Sequence, residues 1–419
     1  MTVIDHPRRA SKSAHPSTQS AQPSAPSKSL AAPIAVLVGI LCDVGLLMVL
    51  SSSSVQALRE SGSSWLYFQR QAMWLALGAL ALAAAVRSPL ALWRRLAGPL
   101  LALSFGLLVV VLVPGVGTEV NGSTRWVEFG PLRLQPSELA KIGLLLFGAD
   151  LLARRAARIE DPRAGLVPMC LVLGGLALLV MLQPDMGTTI VLVLIGASLL
   201  LLSGVPVARL FPLAAFGLVA GAILAISEPY RRARVISFLD PWADAGNTGY
   251  QVVQSLVGMG SGQLTGVGLG ASRAKWGFLP NAHTDFIFAI IGEELGLLGS
   301  LSVIALFVAL AVLGARVAIG ADSRFGALVA GGATAWIAGQ ALVNMGAVVG
   351  LVPVTGVPLP FVSAGGSALV ANMFAAGLLL RVARPVPSAL RASAHRGLRR
   401  GPVRNANPAG ARTSRRSAT

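Results

Sequence analysis

The chain alternates long apolar runs with short polar connections. A run of roughly 20 apolar residues is what carries a helix across ~30 Å of hydrocarbon. Ten such runs stand out, near residues 31–51, 70–86, 96–114, 136–153, 164–182, 187–204, 206–227, 296–318, 326–348 and 363–383. The pattern predicts an all-α polytopic membrane protein with ten transmembrane helices, an even number that puts both termini on one side. One connection, from Glu228 to about Gly296 between predicted helices 7 and 8, is far longer than the rest. Long loops inside compact proteins are usually functional. Within it, YQVVQSLVGMGSGQLTGVGLG at 250–270 is glycine-rich and weakly amphipathic, which predicts a surface helix and turns lying over the membrane. Gly266, Gly268 and Gly270 form no nucleotide fingerprint, because no βαβ pattern surrounds them.

Composition agrees with the pattern: 54% of residues are hydrophobic and only 12% charged, where soluble chains carry about 25%. The net charge of +17 would suit nucleic acid, but the basic residues lie between and after the apolar runs, which reads as cytoplasmic anchoring and excludes a nucleic-acid partner. With both tails inside, most of the 34 Lys and Arg residues fall on the cytoplasmic side, at Arg87, Arg94, Arg95, Arg154, Arg155, Arg158, Arg163, Arg209, Arg316, Arg324 and in the tails. Residues 1–30 and 386–419 are Ser/Pro/Ala- and Arg/Pro/Ala-rich and read as disordered tails around a membrane domain at 31–385. The first apolar run lacks a small-residue cleavage site before Ser51 and is followed by many spans, so it reads as a membrane helix and not a signal peptide. Cys42 and Cys170 sit inside apolar runs and imply no disulfide framework. Asn121-Gly122-Ser123 matches a glycosylation acceptor, a pattern common by chance.

Ionisable groups in or beside membrane spans are costly and by default mark function. The densest set is NAHTDFIFAIIGEELG at 281–296, with His283, Asp285, Glu293 and Glu294 around an apolar run. Asp285 stands where polar sequence re-enters apolar sequence, so it should face a cavity or a partner. Glu293 and Glu294 are adjacent and are expected to point different ways on a helix. Glu138 and Lys141, spaced i, i+3 on the fourth helix, can pair on one face. Asp43, Asp150 and Asp185 are further ionisable residues at spans, each able to act as a cap or a local partner. Arg231, Arg232 and Arg234, then Arg273 and Lys275, supply cations on the long loop. Ser363, Gly365, Gly366 and Ser367 open the last helix, where free backbone N–H groups can hold an anion and where tight packing of small residues would also fit.

Five blocks, in order and spacing, resemble the SEDS (shape, elongation, division and sporulation) family. They are NGSTRWVEFGPLRLQPSELAKI at 121–142, QPDMGTT at 183–189, EPYRRARVISFLDPWADAGNTGYQVVQSL at 228–256, FLPNAHTDFIFAIIGEELG at 278–296 and PLPFVSAGGSALV at 358–370. The third and fourth lie nearer the family's cell-division branch than its elongation branch. Ala364 stands where many relatives carry Tyr before the paired glycines, so an aromatic contact there does not carry over. The resemblance implies a glycosyltransferase that polymerises lipid II into peptidoglycan on the outer face of the bacterial cytoplasmic membrane. It also implies a class B penicillin-binding protein and other divisome membrane proteins as partners.

In that reaction a sugar hydroxyl attacks an anomeric carbon and a lipid diphosphate leaves. Glycoside hydrolysis needs a second carboxyl to protonate a poor leaving group. Diphosphate leaves without a proton if its charge is neutralised, so one carboxylate base and cations suffice. Asp285 is the expected base. Arg231, Arg234 and Lys275, with Gln254, His283, Ser363, Gly365 and Gly366, are the expected substrate contacts, and Arg suits diphosphate through its planar two-pronged fork. Glu138, Lys141, Asp185 and Glu294 are expected to support the site. A divalent cation, Mg or Mn, could share the diphosphate, although no cluster with metal-ligand spacing is visible. The rival readings are a lipid II flippase, with Asp285 and the arginines lining a path, an elongation-type polymerase, and a non-enzymatic divisome scaffold. Inverted repeats, which a transporter would favour, are not evident.

Overall fold

The computed structural model describes residues 29–384, apart from 121–122, 131, 228–231 and 233–236. Arg231, Arg234, the Asn121-Gly122 pair and nearly all of both tails lie outside the described residues. Among the described residues eleven α-helices run in the order α1 (Ala31–Ser61), α2 (Leu66–Arg87), α3 (Leu90–Val111), α4 (Pro136–Arg154), α5 (Leu166–Met181), α6 (Met186–Leu202), α7 (Val207–Ser227), α8 (Tyr250–Ser261), α9 (Ile287–Ile319), α10 (Arg324–Val348) and α11 (Gly366–Ala383). Of these α1, α3, α9, α10 and α11 are long and apolar enough to cross a membrane, and α5 and α6 are shorter apolar helices. The chain is mostly helical. Helix α10 is packed by α4, α6, α9 and α11, and its Trp336 is among the largest fully buried side chains.

Three features amend the expectation of a purely helical chain with evenly placed spans. The connection between α3 and α4 folds into a small antiparallel meander of β1 (Thr118–Val120), β2 (Ser123–Phe129) and β3 (Leu132–Leu134), in the order β1-β2-β3. Its register sets Glu128 opposite Arg133, which pair at 2.7 Å. Helix α1 does not stop at the polar serines after Leu50. It continues to Ser61, with Ser53 and Ser61 turning their hydroxyls back onto the carbonyls of Val49 and Ala57 at 2.6 and 2.8 Å, an arrangement that satisfies the hydroxyls inside the helix. The extra turns carry Arg59 to the carbonyl of Trp276 in the long loop, 3.4 Å away.

The third amendment concerns the long loop, whose apolar end is helix and not loop. Helix α9 starts at Ile287 and bends at Gly296, whose φ 68°, ψ −163° only glycine adopts readily. A broken helix at membrane depth must satisfy its freed backbone groups elsewhere. Here the turn after α8 does so. Val267 and Gly268 donate their N–H groups to the carbonyls of Glu293 and Glu294 at 3.0 and 3.1 Å. Leu297 and Leu298 donate theirs to the carbonyls of Gln263 and Leu264 at 2.9 and 3.1 Å. This approach leaves no room for side chains: a Cβ on Gly266 would lie 2.1 Å from the Glu294 carbonyl oxygen. Gly262 and Gly266 therefore serve backbone-to-backbone packing. The surface helix expected over 250–270 is α8, and it buries Val252, Val253, Ser255 and Gly258 against its neighbours.

Candidate functional site

A cavity of about 1020 Å³ opens at one end of the helices. Its walls come from β2 and the start of α4, the start of α6, the approach to α8, the segment before α9, and the buried connection between α10 and α11. Asp285, His283, Asp185, Glu138, Lys141, Arg125 and Arg133 all line it. Groups scattered over more than 150 residues of sequence thus meet in one polar hollow.

Asp285 is held by its backbone and half-buried, with its carboxylate in the hollow. Asn281 takes a left-handed φ of 59° and its carbonyl accepts from the N–H of Thr284 at 3.1 Å, which makes a tight turn just before Asp285. The carbonyl of His283 accepts from the Ala364 N–H at 2.9 Å. The carbonyl of Asp285 accepts from Asn344 Nδ2 at 2.8 Å, and the same nitrogen donates to the Val357 carbonyl at 2.8 Å. The carboxylate receives the Thr284 hydroxyl at 2.5 Å. Gly356, at φ 71°, passes so close that a Cβ there would sit 3.6 Å from Asp285 Oδ2. Asp285 is therefore fixed by α10 on one side and the α10–α11 connection on the other, with the carboxylate left to the cavity.

Lys141 and Glu138 form an ion pair of 2.7 Å with side chains only 1% and 6% exposed. Lys141 Nζ also donates to Gln340 Oε1 at 3.2 Å and lies 5.1 Å over the Trp336 ring. Glu138 sits in the first turn of α4, after Pro136, where the helix dipole favours a carboxylate. Asp185 caps α6 by accepting from the Thr188 N–H at 3.0 Å and the Thr188 hydroxyl at 2.8 Å. It also accepts from Gln135 Nε2 at 3.0 Å and stands 3.5 Å from Arg125, which joins the β-meander to α6 across the cavity wall.

His283 is buried against the Tyr67 ring, with centroids 4.7 Å apart, and Tyr67 in turn donates to Glu60 at 2.7 Å. Burial pushes the His283 pKa below its ordinary value, against the opposing pull of Asp285 and Glu60. The imidazole is neutral near pH 7.

Other residues expected at the site are placed elsewhere. Gln251 lines the cavity where Gln254 does not. Lys275 lies off the cavity and donates to the Gly270 carbonyl. The Ser363 hydroxyl accepts from the Leu359 N–H at 2.8 Å and the Ser363 carbonyl accepts from Gln71 at 3.2 Å, so this serine closes a turn. Gly365 borders the cavity, whereas Gly366 packs on Trp74, where a Cβ would meet the ring at 2.3 Å. Glu293 and Glu294, expected to point apart, both hold the loop at Ser272. Glu293 receives the Ser272 hydroxyl at 2.5 Å and the Arg273 N–H at 2.8 Å. Glu294 receives the Ser272 N–H at 3.4 Å and the Ser51 hydroxyl at 2.7 Å.

Four contributors were not singled out from the sequence: Arg125, Gln135, Gln340 and Asn344. The last two carried a readable signal, being polar residues at i, i+4 in an otherwise apolar span. Arg125 and Gln135 lay in the 121–142 block that resembles the family, with no feature to set them apart from its other polar residues.

The chain belongs to the FtsW/RodA/SpoVE family of cell cycle proteins, whose profile it matches over residues 32–386. It is 44% identical over 347 residues, 82% of this chain and 87% of the relative, to the "Probable peptidoglycan glycosyltransferase FtsW" of Thioalkalivibrio sulfidiphilus. It is 39% identical to the stage V sporulation protein E of Bacillus subtilis, over 84% of this chain and 96% of that one. Among solved structures, a chain from a peptidoglycan synthase complex that coordinates polymerisation and crosslinking superposes with a TM-score of 0.69 and 30% identity, over 84% of this chain and 97% of that chain. The rod shape determining protein RodA of Thermus thermophilus gives 0.61 and 28%, over 84% and 96%. The protein is accordingly a multi-pass membrane protein.

Proposed function

We propose that this protein is a peptidoglycan glycosyltransferase that polymerises lipid II into glycan strands for the septal wall. The observation that carries the reading is the carboxylate of Asp285 in a cavity that also holds the cationic groups of Arg125, Arg133 and Lys141. Asp285 takes the proton from the attacking sugar hydroxyl as the new glycosidic bond forms. The bond from the anomeric carbon to the diphosphate breaks, and the charge that develops on the departing lipid diphosphate is stabilised by cations. Arg125 suits this task because Asp185 orients its fork without enclosing it. Arg231 and Arg234 remain candidates for the same charge.

Ten segments cross the membrane with both tails in the cytoplasm, and the cavity lies on the outer side. Every connection that builds the cavity follows an odd-numbered span of the sequence pattern, which supports this orientation. A class B penicillin-binding protein crosslinks the product, and divisome membrane proteins place the pair at the septum. A divalent cation fits poorly as a protein-held group. Among the described residues no three His, Cys, Asp or Glu side chains converge to hold an ion. Both oxygens of Asp185 are already committed to Thr188, Gln135 and Arg125.

Purified protein incubated with lipid II tests the reading. Glycan strands are expected, and transbilayer movement without strands would make it a flippase. A cysteine at Asn247 should react with an impermeant thiol reagent in intact cells, and reaction only after lysis would invert the topology.

A further inference from the structure

Asp43 is the one carboxylate inside the apolar run of α1, and the site described above does not use it. It is exposed on the face of α1 turned away from the other helices, and among the described residues no hydrogen bond or ion pair reaches it. Its level is deep. The neighbouring Cys42 Sγ lies 3.7 Å from Met373 Sδ, and Met373 also packs on Gly78, midway along α2. A carboxylate at that depth facing acyl chains is costly, and such groups pair with a donor.

The same face carries Ala35 and Gly39, one turn apart, followed by Asp43 and Leu47, all exposed. Glycine within a helix is destabilising unless close packing requires it. Nothing inside the protein requires Gly39, because a Cβ there would meet no atom within 4 Å. A small residue one turn from a polar one is the arrangement by which membrane helices approach closely and hydrogen-bond.

We propose that this face of α1 is a docking surface for a transmembrane helix of another protein that presents a cationic side chain, Lys or Arg, at mid-membrane depth opposite Asp43. Charge selects this occupant over a second copy of the chain, since a two-fold contact through the same face would set one Asp43 against the other. The face is independent of the cavity, so the proposal stands or falls apart from the catalytic reading.

The test uses the full-length protein in phosphatidylethanolamine–phosphatidylglycerol vesicles, with polyleucine transmembrane peptides of roughly 20 residues as probes, one bearing a central Lys and one all Leu. Association is read by energy transfer. The Lys peptide should bind about 3- to 30-fold more tightly than the Leu peptide, the span expected of polar contacts between membrane helices. Asp43→Leu should erase the preference, and Asp43→Lys should transfer it to a peptide with a central Asp. Thermal unfolding of both variants should match the wild type, because Asp43 holds nothing within the chain. Equal binding of the Lys and Leu peptides overturns the proposal. So does a Lys preference that survives Asp43→Leu, or self-association of the protein that Asp43→Leu abolishes in place of peptide binding.

Discussion

The two ends of the helix bundle use charge in opposite ways. At the end away from the cavity, arginines close the structure. Arg94 and Arg154 grip Asp150 at 2.6 and 2.8 Å. Arg324 donates to the Ser203 carbonyl at the end of α6 at 2.5 Å, and Arg381 to the Ser88 carbonyl at the end of α2 at 3.1 Å. These are the carbonyls that a helix C-terminus leaves without partners, and cations suit them. At the cavity end, charged side chains also pair, Lys141 with Glu138 at 2.7 Å and Arg125 with Asp185 at 3.5 Å. Yet neutral groups of Gln135, Gln340, Thr188 and Thr284 share in holding them, Asn344 holds the Asp285 backbone, and the charged residues border the cavity. The lesson is that local charge density does not separate anchor from site. What separates them is where the charge stands: Arg94 and Arg154 lie open at the surface, whereas Glu138, Lys141 and Asp185 line a cavity.

This contrast can be broken by substitution, and the largest effect is expected at Asp285. Asp285→Asn keeps size and backbone contacts but cannot accept a proton at neutral pH, so polymerisation should fall about 10²–10⁴-fold while the folded protein still accumulates. Asp285→Glu should recover little, because the added methylene misplaces the base. A folded Asn variant that makes strands at near-normal rate would move the chemistry to Glu138 or Asp185.

Stability should respond most at the buried pair of the cavity end. Lys141→Ala leaves Glu138 uncompensated and should cost about 3–5 kcal/mol in denaturation measurements, whereas Lys141→Met with Glu138→Leu should recover most of it. At the other end, Asp150→Asn should cost under ~1 kcal/mol, since Arg94 and Arg154 are 42% and 63% exposed and water replaces the lost contact. Equal costs at the two ends would erase the distinction drawn between them. Between these extremes, Gly296→Ala forces a side chain into a glycine-only conformation and toward the Gly266 nitrogen, 2.4 Å away. It should cost about 1–3 kcal/mol or more and loosen the loop to proteolysis.

The smallest effect concerns acidity. The His283 pKa is lowered by burial, so the unfolded chain binds this proton more readily than the folded one. The stability it contributes is complete above the ordinary value of 6.5 and is lost as pH falls through the lowered folded value. His283→Gln should remove this acid-side dependence of the melting temperature, on top of a pH-independent loss from the missing contact with Tyr67.

The sequence by itself determined the apolar runs and the family, and it singled out Asp285 as a candidate, because hydropathy is a local property and a carboxylate between polar and apolar sequence is visible without coordinates. It also revealed the Glu138–Lys141 pair, since i, i+3 spacing on a helix fixes proximity. Only the tertiary structure decided that Arg125 and Gln135 join Asp185, that Asn344 holds Asp285, and that Gln251 borders the cavity where Gln254 does not. Those meetings depend on how distant helices pack. The bend at Gly296 belongs to the same class: its backbone groups are satisfied by the turn after α8, so helix and loop could be told apart only when both were in place. Ser363, Gly366 and Lys275 were readable as residues able to bind an anion, but a hydroxyl, a glycine or an ammonium can equally close a turn, admit a tryptophan or cap a carbonyl. The choice among those uses rests on which neighbour arrives, and sequence spacing does not carry that information.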